Sequence, residues 1–189
     1  MKRALMLGFL LALGTASAIA APTLEERRQD VRDVARNTLE RLYKAQPAAR
    51  EAIERSAGYA VFSNFGMKIL FAGGGKGEGI AVNRKTKAET FMKMVEVQAG
   101  LGVGVKKFRL VWVFEKQSDL DRFVNSGWEL GAQATAAAQV SGMGQSLYQG
   151  AMSISPGVWL YQLTDEGLAA ELTAKGTKYY KDDELNAGR

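Results

Sequence analysis

Phe71-Ala72-Gly73-Gly74-Gly75-Lys76-Gly77-Glu78-Gly79 sets glycine at every second position from 73 to 79. Residues two apart in a β-strand share a face, so this stretch lays a bare backbone stripe along one side of a sheet. Glycine inside a strand costs stability, and such a stripe marks close approach by another element, either a helix or a bulky aromatic side chain. A second run, Gly100, Gly102 and Gly104, alternates with Ala99, Leu101, Val103 and Val105 and predicts a second strand of this kind. Neither run is a phosphate loop. In a Gly-x-x-x-x-Gly-Lys-Ser/Thr frame, Leu70 occupies the first glycine position and Gly77 the hydroxyl position. No apolar pattern of helical period follows either run.

Short strands surround the glycine stripe. Tyr59–Ser63 and Lys68–Ala72 are expected as strands with a turn at Asn64-Phe65-Gly66 between them. Phe108, Leu110, Trp112 and Phe114 alternate along the clearest strand. Ser118 is expected to cap a short helix carrying Leu120, Phe123 and Val124, stopped by Asn125-Ser126-Gly127. Alternation resumes over 128–140, and further strands are expected near 150–155, 157–163, 168–174 and 177–181. Asp182-Asp183-Glu184 reads as a solvated acidic tail without the spacing of an EF-hand loop.

The stripe is preceded by helical periodicity. Thr23 can cap a helix whose first turn carries Glu25 and Glu26, near the positive end of the helix dipole. Val31, Val34, Ala35, Thr38, Leu39, Leu42 and Tyr43 then form its apolar face, which is better suited to packing on a sheet than to lying in a membrane. Pro47 suits the first turn of a second, short helix running to about Ser56. Before these, Lys2 and Arg3, the apolar run 4–13 and Ala18-Ile19-Ala20 make a signal peptide over residues 1–20, with an apolar run too short to cross a bilayer. The expected organisation is a signal peptide (1–20), an N-terminal amphipathic helix (21–46) and a globular region (47–189) that forms one unit with that helix. The fold class is α+β. Helices pack on a glycine-rich, mainly antiparallel twisted sheet or partial barrel with one inserted short helix.

Composition narrows the chemistry. The chain has no His and no Cys, which excludes a Ser-His-Asp triad, a thiol nucleophile and a typical zinc site. No disulfide can support the fold of an exported chain without Cys, and no cofactor or metal is expected. Charge is unevenly spread: Lys68 to Arg109 holds nine basic and three acidic residues, a net of +6. A basic segment of this kind attracts phosphate groups on lipid or another polyanion. Few aromatics interleave with it, so nucleic acid, which needs stacking platforms, is not an expected partner.

The order of these features resembles a known family. Ala52–Phe62, Gly66, Phe71–Gly79, Gly100–Gly104, Phe123-Val124, Leu130-Gly131-Ala132, Tyr161, Gly167-Leu168 and Asn186 together resemble the SYLF domain, also called the Ysc84-type actin- and lipid-binding domain, over about residues 47–186. The resemblance implies a compact, largely β domain with helices, found alone in exported bacterial proteins and joined to other modules in eukaryotic ones. Eukaryotic members are associated with phosphoinositide membranes, and the yeast type with actin filaments as well. For an exported chain actin is not an expected native partner, whereas anionic phospholipid or a membrane surface is. The expected head-group contacts are Lys68, Lys76, Arg84, Lys85, Lys87, Lys106, Lys107 and Arg109. The alternative is a structural or protein-interaction module of the periplasm, with the glycine stripes forming an interface to an envelope protein.

Overall fold

The computed structural model describes residues 21–69, 72–99, 104–130, 146–165, 167–169 and 177–188. The signal peptide, the strand expected at 168–174 beyond Ala169, and most of the alternating stretch 128–140 lie outside the described residues.

α1 (Leu24–Ala45) begins with a reciprocal capping box. The Thr23 hydroxyl accepts from the Glu26 amide at 3.2 Å, and the Glu26 carboxylate accepts from the Thr23 amide at 2.7 Å. Its buried residues, Val31, Ala35, Thr38 and Leu42, recur at helical spacing along one stripe. α2 (Ala48–Arg55) follows Pro47. Then come β1 (Gly58–Ile69), β2 (Ala72–Asn83), β3 (Glu89–Ala99) and β4 (Gly104–Phe114), with α3 (Gln117–Ser126) after them. The remainder is β5 (Trp128–Leu130), a 3-10 turn at Ser146–Tyr148, β6 (Met152–Ser155), β7 (Val158–Leu163), β8 (Thr177–Lys181) and α4 (Asp183–Asn186).

The eight strands form one antiparallel sheet in the order β5-β8-β3-β2-β1-β4-β7-β6. It is more than a meander, because β1 sits between β2 and β4 and the later strands add at both edges. The sheet is curled. On a flat sheet β4 and β8, four strands apart, would lie about 19 Å from each other at ~4.8 Å per strand. The rings of Trp112 on β4 and Tyr179 on β8 are instead 5.2 Å apart. Both faces of this half-barrel are packed. The concave core gathers Phe62, Met92, Met94, Leu110, Trp112 and Tyr179, and α3 adds Leu120 and Phe123. The convex core sets Val31, Ala35 and Leu42 of α1 and Ile53 of α2 against Val61, Ile80, Phe91, Val111 and Tyr161. The class is α+β, with the helices on a curled antiparallel sheet.

The glycine stripe lies on the concave face. A β-carbon at Gly79 would strike the Phe62 ring and the Val61 carbonyl, and one at Gly77 would strike the Ser63 carbonyl and press on Met94. The close approach expected from the sequence is therefore made by an aromatic ring. Phe62 leans into that space and reaches Tyr179 at 4.9 Å and Phe123 at 6.1 Å.

Several local expectations change. Asn64-Phe65-Gly66 is no turn: β1 runs unbroken through it, because both neighbours take up its backbone hydrogen-bonding capacity, with Phe65 opposite Lys76 on one side and Lys107 on the other. The hairpin narrows instead at Ile69 opposite Ala72. Ala99 and Gly104 belong to different strands, so no single strand spans 99–105, and Gly100 and Gly102 lie outside the described residues. β3 (Glu89–Ala99) is a strand outside those the sequence pattern predicts. Lys116, without a side-chain cap, starts α3 in place of Ser118. Asp182 is fully buried rather than solvated. It caps α4 by accepting from the Glu184 and Leu185 amides, each at 3.1 Å, and holds Lys93 at 3.0 Å.

Two outcomes test this packing. Gly79→Ala is expected to cost about 1–3 kcal/mol, the usual penalty for overfilling a tight core, read as a lower urea midpoint at unchanged slope. A wild-type midpoint would show that the Phe62 ring does not occupy that space. Tyr161 is buried with a hydroxyl that has no hydrogen-bond partner among the described residues, and burial pushes its pKa up to about 12. Above pH 10 the unfolded chain loses that proton while the folded chain keeps it, so stability falls as pH rises from about 10 to about 12. Tyr161→Phe should leave stability at pH 7 unchanged or raised, and should lessen the alkaline loss. Denaturant titrations at pH 7 and pH 11 check both.

Candidate functional site

The register turns the convex face into cross-strand rows. One row, Tyr161–Val111–Val61–Ile80–Phe91, is apolar and buried. Two residues further along the strands the row reads Leu163–Arg109–Ser63–Glu78–Lys93–Tyr180, one residue from each of six adjacent strands. The next row places Lys107, Phe65, Lys76, Val95 and Lys178 side by side in the ladder. Along a single face, over about 13 Å at ~3.3 Å per residue, the sheet thus passes from apolar through mixed charge to cationic.

α1 spans these strands, from Glu78 on β2 to Thr164 just past β7. Near its start Arg27 bonds Glu184 at 2.8 Å and Glu78 at 3.4 Å. Near its end Arg41 donates to the Thr164 carbonyl at 2.9 Å. The hydrogen bond that Arg27 donates to Glu184, more than the weaker pull of Glu78, raises the Arg27 pKa further, so this guanidinium stays charged. Beyond α1 lies a cavity of about 700 Å³. The whole Leu163-to-Tyr180 row lines it, with Lys76, Val95, Arg41, Thr164 and Asp165. Its charges are not equivalent. Glu78 is held by Arg27 and Lys93 by Asp182. Lys76, which is exposed, and Arg109, which is half-buried, make no ion pair among the described residues. Their α-carbons are about 12 Å apart, two strands and two residues, and Ser63 lies between them on β1. Two long cationic side chains and a hydroxyl across that span suit an anionic group of several oxygens.

The eight basic residues singled out from the sequence do not converge. Arg84, Lys85 and Lys87 sit on the β2–β3 turn. There the Asn83 side chain accepts from the Lys85 and Thr86 amides, each at 3.0 Å, and Lys87 takes a left-handed φ of 61°. Lys85 and Lys87 are exposed; Arg84 is half-buried beside Tyr59, whose pKa burial raises and the Arg84 charge lowers. This turn is seven residues along β2 from Lys76, about 23 Å. Lys76 and Arg109 meet at the cavity, and Lys107 is level with Lys76 across Phe65. Lys106 is opposite Gly66 and Lys68 opposite Gly104, at the same end of the sheet. Sequence reasoning missed Arg41, Ser63, Lys93 and Tyr180. The register of β1 with both neighbours, hidden by the expected turn at 64–66, places Ser63; the registers of β2 with β3 and β3 with β8 place Lys93 and Tyr180, and the docking of α1 brings Arg41. Among the described residues no three acidic side chains gather as a metal site.

Comparison with known proteins is consistent with this architecture. Residues 95–188, from β3 to the end of α4, match the family model described as Ysc84, Las17-binding protein actin regulator. The chain is 33% identical over 164 residues to beta cell expansion factor A of Aeromonas veronii, covering 86% of this chain and 60% of that relative. The chain thus spans less than two thirds of the relative's length. With the α+β fold, the glycine-rich sheet and these matches together, the chain belongs to the Ysc84 (SYLF) family of actin- and lipid-binding domains.

Proposed function

We propose that this protein is a non-enzymatic lipid-binding domain of the cell envelope that associates with anionic phospholipid through a basic surface centred on Lys76 and Arg109. The observation that carries this reading is the pair of unneutralised cations at the edge of a large cavity, on a face whose next row holds Lys107 and Lys178. Each Lys or Arg near an anionic leaflet is worth about 1 kcal/mol, so several acting together hold a protein there reversibly. Residues 1–20 read as a signal peptide, which supports export to the periplasm or beyond, where actin is no partner and bilayer phosphates are abundant. Membership of a family of binding domains supports a role without catalysis.

The three cations of the 84–87 turn, about 23 Å away along β2, form a second and separate point of attraction. Vesicle co-sedimentation separates the two. Protein from Ala21 onward should pellet with anionic and not with neutral vesicles, and raised salt should release it. Lys76→Glu with Arg109→Gln should abolish pelleting, and Lys85→Glu with Lys87→Glu should only weaken it. Equal pelleting with neutral vesicles, or none with either, would contradict the lipid reading and favour a protein-interaction module of the envelope.

A further inference from the structure

We infer that the cavity beyond α1 binds a single anionic amphiphile of one acyl chain and one phosphate-type head, one molecule per protein, in addition to any adsorption to a bilayer. This rests on the lipid reading above and goes further, since adsorption needs only surface charge whereas the cavity offers about 700 Å³ with both charged and apolar lining.

About 700 Å³ falls within the range of 300–1,000 Å³ typical of small-molecule sites, enough for one chain and its head. The half-barrel interior offers no such space among the described residues. Phe62, Trp112, Phe123 and Tyr179 fill it with ring centroids between 4.9 and 6.1 Å apart. A chain-bearing ligand is therefore directed to the convex face. There the apolar contribution comes from Leu163 at one end of the row, Tyr180 at the other and Val95 beside Lys76, and Met94 and Phe108, which belong to the concave core, also border the cavity. The row between Leu163 and Tyr180 supplies the head contacts.

Charge selects the head. Glu78 and Lys93 are already neutralised by Arg27 and Asp182, so neither makes a demand on a ligand. Lys76 and Arg109 make no ion pair among the described residues, and Ser63 adds a hydroxyl between them. Of the two other charges on the lining, Arg41 donates to the Thr164 carbonyl while Asp165 lies beyond Leu163 at the end of the row. A phosphate monoester can accept from Lys76, Arg109 and Ser63. A guanidinium binds phosphate oxygens through paired, directed donors, and this favours Arg109 as the orienting group. A zwitterionic head would bring its own cation to a lining that already carries Arg41, Lys76, Lys93 and Arg109 against Glu78 and Asp165. Two acyl chains exceed the volume, so a diacyl lipid would remain in its bilayer and meet only the rim.

Calorimetry on the preparation used for vesicles tests this with three probes: lauroyl lysophosphatidic acid below its micelle concentration, lauroyl lysophosphocholine, and inorganic phosphate. Saturable one-to-one binding is expected for the first, with affinity for the other two lower by about tenfold or more, the effect of losing one charge-assisted contact or the chain. Lys76→Glu, an exposed site whose change leaves the core intact, should weaken lysophosphatidic acid by about tenfold, and Arg109→Gln by at least as much. Lys85→Glu with Lys87→Glu should leave it unchanged. Vesicle binding without uptake of the monoacyl phosphate would overturn this inference and leave the bilayer reading standing. Uptake without vesicle binding would do the reverse. Equal affinity for inorganic phosphate would also overturn it, since the chain would then contribute nothing.

Discussion

The Phe62 ring in the space left by the missing β-carbon of Gly79 is the contact on which the rest of the molecule depends. The neighbouring glycine, Gly77, makes the same allowance for Met94. Because β2 presents bare backbone there, Phe62 can lean across it to Tyr179, and Trp112 can reach Tyr179 from four strands away. The curl of the sheet and the filling of its concavity are thus one event. Aromatic pairs at these separations contribute about 0.5–1.5 kcal/mol each beyond burial, and in a chain without disulfides they stand among the few strong local restraints.

Filling the interior has a functional consequence. A curled sheet with an empty concavity would hold a ligand inside, whereas this one turns its chemistry outward. α1 then divides the outer face. Its apolar stripe covers the rows that contain Val61, Ile80 and Val111, while its arginines tie it down at both ends, Arg27 to Glu184 and Arg41 to the Thr164 carbonyl. At the edge of the helix, where Arg27 still reaches Glu78, the row through Ser63 lines the cavity, at the level where the alternating residues change from apolar to charged. The site follows from where a helix of 22 residues stops covering strands of 11 or 12.

Much of this was legible in the sequence because it depends on local pattern. The Thr23 cap, the stripe from Val31 to Leu42, the alternation of Phe108 to Phe114 and the turn at 84–87 are each specified by residues near one another in the chain. Other features depend on partners far away. Asn64-Phe65-Gly66 has turn chemistry, yet two flanking strands offer it a complete ladder and override the local preference. Asp182 looked like part of a charged tail because nothing nearby in sequence shows that Lys93 lies across from it. The candidate site had the same fate. Lys76 and Arg109 stood out by charge, but the placing of Ser63 between them and of Lys93 and Tyr180 along the same row is a consequence of register, and Arg41 arrives with the docking of α1.

A titration of isotope-labelled protein with a spin-labelled anionic lipid, read as paramagnetic broadening of backbone amides, locates the ligand directly. If the convex cavity is the site, Gly77, Glu78, Lys93 and Arg109 should broaden first, with Lys85 and Lys87 affected only at higher lipid and Phe62 and Trp112 hardly at all. Broadening confined to the 84–87 turn, or strongest at the concave aromatic residues, would contradict a site on the outer face beyond α1.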